Sequence, residues 1–154
     1  MERMLAGIRN DFDLILLDCP PSLGLLAENV FRCADLILVP NIPTTLSLRA
    51  YVHILTYLRE QREPLEKVVP FFSMADRRKK MHMDNVTFYT ERIPRMCRTV
   101  IPYLSEIEKM GWYRRPIPEE LPQSISAQAY RELWQELEPV LFQTKKKKTT
   151  GDPA

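Results

Sequence analysis

The stretch "DLILLDCPPSLG", residues 13–24, restricts the possible folds more than any other part of the chain. Its apolar run passes directly into Asp18, Cys19 and two prolines. By periodicity alone, a short apolar run bounded by turn residues fits a strand buried on both faces or a buried segment of helix. Pro20 and Pro21 decide for the strand. Proline locks φ, lacks an N–H and drives the preceding residue toward extended geometry, so the chain must leave its strand just after Asp18. A carboxylate is thereby delivered at the carboxyl end of a strand expected over residues 13–17.

The tetrad "DLIL" returns at 35–38, where it continues "DLILVPNIPTT". Between the two copies, Leu23, Leu26, Val30 and Phe31 recur at helical spacing, with Ser22 at the N-cap position. Strand, helix and strand in that order make a βαβ unit, which requires parallel strands and a right-handed crossover. Asp18 and Pro40 are then expected on one sheet edge, where open α/β sheets place their ligands.

Further along, Leu48, Val52, Leu55 and Leu58 predict the inward stripe of a helix over about 46–62. "KVVPFFSM" reads as a third strand, with Pro70 expected near its start or at a bulge. "ADRRKK" is a charged turn leading into a helix, and "RTVIP" is a fourth strand ending at Pro102. A short helix closed by Gly111 and a proline-rich loop follow. The last helix, about 126–141, carries Tyr130, Leu133, Trp134, Leu137 and Leu141 along one stripe. The expected fold class is α/β, a mainly parallel sheet flanked by helices, with one domain over residues 1–142 and a basic disordered tail over 143–154.

A formal net charge of +2 gives no global signature of a nucleic-acid binder, so only local patches can argue for one. Cys19, Cys33 and Cys97 are odd in number and form no CxxC pair, which reads as free thiols in a reducing compartment. His53 and His82 stand apart from any metal-ligand or catalytic-triad spacing. The opening "MERMLAGIRNDFD" lacks the pattern of a signal peptide, and a cytoplasmic location is expected.

Taken together, "FDLILLDCPPSLGLLAENVFRCADLILVP" resembles the Walker B region of the ParA/MinD class of P-loop ATPases. "FFSMADRR" is similar to that family's strand-end segment near adenine, "RTVIP" to its later strand, and "PQSISAQAYRELWQEL" to its closing S-x-x-A-x-x-Y helix. The resemblance covers about residues 8–142 in the family's order. It implies ATP and Mg²⁺ as cofactors and ATP-dependent dimerisation in partitioning DNA or positioning cargo. The implied partners are a homodimer or a full-length ParA-like protein, nonspecific DNA and a ParB-like activator.

The resemblance also implies residue roles. Asp18 would hold Mg²⁺ through a coordinated water, as suits a hard ion that keeps much of its hydration shell; the alternative is an Asp that ends a strand or caps the next helix. Met74, Asp76 and Pro102 would neighbour adenine, with a core residue, a turn residue and a strand terminator as the alternatives. Arg77, Arg78, Lys79 and Lys80 would meet DNA phosphates, or simply form a solvated turn. The family often carries arginines after the later strand's I-P, where this chain has "IPYLSEIE".

A phosphate-binding loop needs glycines for close backbone approach and a lysine for the β/γ charge. The four glycines here, Gly7, Gly24, Gly111 and Gly151, include no G-x-x-x-x-G-K-[ST] context. The sequence therefore looks like the C-terminal portion of a ParA-like ATPase without its Walker A segment, bound to be inactive alone. A second reading is a non-catalytic module that binds a full-length homologue or DNA. Because the family sets its P-loop strand beside the Walker B strand, Asp13–Leu17 is expected to present an unpaired apolar edge. The acidic face of the last helix, with Glu132, Glu136 and Glu138, argues for core packing over membrane attachment.

Overall fold

A computed structural model describes residues 2–19 and 24–149. Its centre is a parallel sheet of three strands, β1 (Ile37–Asn41), β2 (Val68–Ala75) and β3 (Val100–Pro102), in the order β1-β2-β3. The helices are α1 (Glu2–Ala6), α2 (Leu25–Cys33), α3 (Thr45–Glu60), α4 (Lys80–Thr90), α5 (Ser105–Glu108), α6 (Met110–Tyr113), α7 (Ile117–Glu120) and α8 (Ile125–Thr149). The α/β class and the parallel sheet flanked by helices are therefore as the sequence led one to expect.

Side chains alternate across β2 with the strand period of two, and this sorts the core onto both faces. Val68 joins Ile37, Val39, Tyr51 and Leu58 on the α3 side, and Phe72 meets Leu48 and Met96. Val69 faces the other way, with Cys97, Ile101, Ala129, Leu133 and Leu137 of the α8 side. The last helix is thus a core-packing element. Its Glu136 carboxylate also accepts the backbone N–H groups of Arg98 (2.6 Å) and Thr99 (3.0 Å), which fixes the entry into β3. No described helix is long and apolar enough to cross a membrane.

Several local expectations change. Residues 14–19 join no ladder among the described residues, and Leu16 is 77% exposed, so the first tetrad does not form a sheet strand where the second one does. A strand exists only where a neighbour takes its backbone groups, and an apolar run does not supply that neighbour. Ser22, Leu23 and the two prolines lie outside the described residues.

In α3 it is Tyr51, not Val52, that is buried: the stripe through Leu48 and Leu58 passes over 51, and Val52 stands a further 100° round. Pro70 is fully buried as the third residue of the central strand, paired with Val39. It precedes the β2–β3 ladder, which begins at Phe72, and toward β3 its carbonyl accepts the Cys97 N–H at 2.9 Å. The irregularity in β2 lies between Phe72 and Ala75, so of the two placements expected for Pro70 the one near the strand's start holds.

Finally, Gly111 sits inside α6, and the residue that stops the helix is Arg114, in the left-handed region at φ 50°. Four residues of the expected proline-rich loop are helical as α7, and α8 continues to Thr149, beyond the 142/143 boundary expected for the tail.

Candidate functional site

The carboxyl ends of β2 and β3 bring three of the expected residues together. Ala75 pairs with Pro102, so Pro102 stands beside the strand end that carries Met74 and Asp76. The Tyr103 N–H then donates to the Ala75 carbonyl at 3.0 Å, prolonging the contact past the ladder. Met74 is half exposed and has φ 55°, a left-handed conformation uncommon for a residue with a Cβ; non-glycine residues held there concentrate at ligand sites.

Asp76 is buried, and its carboxylate is clamped. Arg78 donates from Nε to Oδ1 and from Nη2 to Oδ2, both at 2.9 Å, and its backbone N–H reaches Oδ1 at 3.0 Å. A carboxylate followed two residues later by the N–H it accepts is a local turn device of Asp. One lone-pair position on Oδ2 remains for an incoming donor. The Asp76 N–H in turn donates to Nδ1 of buried His82 at 3.2 Å, which makes His82 a satisfied core histidine.

These bonds hold the Asp76 carboxyl at about 2, down from an ordinary 3.8, the side-chain bond to Arg78 being the largest cause. Because the folded value is depressed, the clamp's stabilising contribution is fully present above about pH 4 and fades as pH falls toward about 2. Carboxyl carbon NMR of Asp76 is expected to titrate near the lower value. A midpoint at the ordinary carboxylate value would show that the clamp does not form.

Of the four basic residues in this turn, Arg78 is therefore already engaged. Arg77, Lys79 and Lys80 are exposed and make no ion pair among the described residues. Asp18 is exposed and lies outside the ladder, away from any pairing with β1 that would set it beside Pro40.

A single exposed carboxylate suits water-mediated Mg²⁺. Among the described residues no group of three or more His, Cys, Asp or Glu gathers around any point. Among the described residues neither Gly7 nor Gly111 stands in a loop followed by the lysine a phosphate cradle needs. A cavity of about 220 Å³ lies toward the amino ends of the strands, lined by Val69, Cys97, Glu136 and Leu137 among others. It is remote from all of these residues, and burial pushes the Cys97 thiol in its wall up to about 11, with the Glu136 charge adding to the effect.

Residues 1–69 match a family model described as an AAA domain. Over 145 residues, 89% of this chain, the sequence is 26% identical to the chromosome-partitioning ATPase Soj of Treponema pallidum and 25% identical to the sporulation initiation inhibitor protein Soj of Bacillus subtilis. A segment of 36 residues is 53% identical to the chromosome partitioning protein ParA of Myxococcus xanthus. These similarities support a ParA/MinD-like P-loop ATPase family for the chain, at low identity. It spans 56% of the length of each Soj protein, a little over half of a ParA-type relative.

Within that ParA-like framework, two features of the chain were not legible as functional residues. Lys67 is buried, its ammonium between Glu63 and the Phe31 carbonyl. The i,i+4 spacing of Glu63 and Lys67 was the available signal, but spacing carries no information about burial. Trp112, in α6, is 89% exposed.

Proposed function

We propose that these residues form part of a ParA-like ATPase that acts in partitioning DNA or positioning cargo, and that they supply the base side and the Mg²⁺ carboxylate of its nucleotide site. The observation that carries this reading is the meeting of Met74, Asp76 and Pro102 at one sheet edge, in a chain similar to two Soj proteins over 89% of its length. In this reading Met74 and Pro102 flank the adenine, the open lone pair of Asp76 accepts from its amino group, and Asp18 holds hydrated Mg²⁺. Arg77, Lys79 and Lys80 meet nucleic-acid phosphates. Dimerisation with a second ParA-like chain and stimulation by a ParB-like activator belong to the same proposal.

The 154 residues by themselves are expected to show no ATP turnover above a blank, since they hold no lysine in a phosphate cradle. A steady-state phosphate-release assay with and without Asp18→Ala tests this. Turnover that vanishes in Asp18→Ala would overturn the expectation of inactivity.

One observation favours a second reading, a non-catalytic module that pairs with another ParA-like chain. Among the described residues no strand pairs with the outer edge of β1, and the apolar run 14–17 lies outside the sheet with Leu16 exposed. Open ladders of this kind recruit further strands. Hydrogen exchange of the β1 amides distinguishes the two readings. Protection gained on adding a Soj relative without nucleotide supports the module, and protection that needs Mg·ATP supports the ATPase part.

A further inference from the structure

A tryptophan usually buries most of its surface, so an indole left 89% exposed is a large apolar area without a use inside the fold. Trp112 occupies the tip of the α5–α6 knuckle, next to Gly111, where even an added Cβ would find nothing within 4 Å. Around it are exposed Lys109, Tyr113, Arg114 and Arg115. Lys109 and Arg114 make no ion pair among the described residues; Arg115 reaches Glu120 only at 4.0 Å. The two acidic groups of the knuckle each hold a hydrogen bond. Glu106 accepts the Ser126 N–H at 3.4 Å, and Glu108 accepts the Tyr103 hydroxyl, raising the pKa of that phenol.

Tyr103 also joins this knuckle to the basic turn after β2. Its N–H bonds to Ala75, and its ring oxygen feels the charge of Arg78. Tyr103 thus lies between the basic turn and the start of the knuckle.

Cations spaced around a single protruding aromatic ring suit a polyanion whose ring faces are accessible. An anionic membrane would require a broad apolar face for insertion, and the knuckle offers only one fully exposed ring. A duplex hides its base faces, and reaching them costs a few kcal/mol per unstacked step. An unpaired strand presents both phosphates and base faces at no such cost.

We propose that the α5–α6 knuckle binds single-stranded nucleic acid, with an unpaired base stacked on Trp112 and the flanking phosphates neutralised by Lys109, Arg114 and Arg115. It rests on the nucleic-acid reading of the basic turn, which tracks the same strand onward, and it does not depend on nucleotide binding.

The test is fluorescence anisotropy of the 154-residue chain with a labelled oligothymidylate and with a labelled duplex, each about 20 nucleotides long, at two salt concentrations. Trp112→Ala is expected to weaken single-strand binding by about 5- to 150-fold, the worth of one base–aromatic stack, and to leave duplex binding unchanged. Trp112→Phe should retain most of the affinity. Arg114→Gln with Arg115→Gln should flatten the salt dependence by about 0.7 per lost phosphate contact. Because the ring lies outside the core, circular dichroism should not distinguish Trp112→Ala from the parent.

Equal single-strand affinity of Trp112→Ala and the parent would overturn the proposal. So would an equal loss on both oligonucleotides, or binding to phosphatidylserine vesicles that needs Trp112 when the oligonucleotide does not bind. Duplex binding that depends on Lys79 and Lys80 but ignores Trp112 would defeat the knuckle and leave the basic-turn reading standing. Absence of any nucleic-acid binding would defeat both.

Discussion

Phe72→Ala is expected to cost about 3–5 kcal/mol of folding stability, the usual range for emptying a buried aromatic site. Phe72 is fully buried in the central strand and pairs with Asn41 on one side and Val100 on the other. It is therefore where the two ladders meet. Its ring packs with Leu48 of α3 and with Met96, with Val86, Tyr89, Ile93 and Val100 around them. Relaxation into the space would have to move a helix and both neighbouring strands together, so the cavity term persists. A domain of this size has about 5–15 kcal/mol in total, which leaves the variant near its limit. Urea unfolding followed by far-UV circular dichroism measures the loss. Phe72→Leu should cost far less, and equal costs for the two would contradict the packing described.

The second large effect is expected at Lys67. Lys67→Ala should cost about 3–5 kcal/mol, because removing one member of a buried pair strands the other charge. The side chains of Lys67 and Glu63 retain only 8% and 17% of their exposure, and the ammonium also donates to the Phe31 carbonyl in the last turn of α2. Lys67 thus ties α2 to the start of β2. Replacing both partners, Lys67→Met with Glu63→Leu, should recover most of the charge term. What remains, about 1–3 kcal/mol, would measure the carbonyl of Phe31 left without its donor. If the double variant is no better than Lys67→Ala, the ion pair is not the source of the loss.

Phe72 and Lys67 also show where sequence reasoning reaches and where it stops. β1, β2 and β3 were legible because each is an apolar run closed by a turn or a proline, a signal local to a few residues. The first "DLIL" carries the same letters as the second, yet only the second finds a partner strand. Hydrogen-bond partners are supplied from distant parts of the chain, and a local pattern cannot report them. Tyr51 replacing Val52 in the buried stripe of α3 is a smaller error of the same kind, a helix phase misjudged by one residue.

Strand ends and prolines made the juxtaposition of Met74, Asp76 and Pro102 legible, since the end of a strand fixes where its last residues emerge. The clamp of Arg78 on Asp76 was readable in part: an Asp two residues before a turn N–H is a known local bond, whereas the two guanidinium contacts depend on one side-chain conformation among many. The exposure of Trp112 had no signature at all, because aromatic residues are usually core and nothing in "KMGWYRR" says otherwise.

The most direct test of the nucleotide reading is a titration of the isotope-labelled chain with Mg·ATP, followed by amide and methyl NMR. The expected result is a weak, saturable perturbation centred on Met74, Asp76 and Tyr103 beside Pro102, with Mg²⁺ dependence sensed near Asp18. Perturbations confined to the cavity around Cys97 and Glu136, or none at millimolar nucleotide, would contradict the assignment of the β2–β3 edge as the base side of the site.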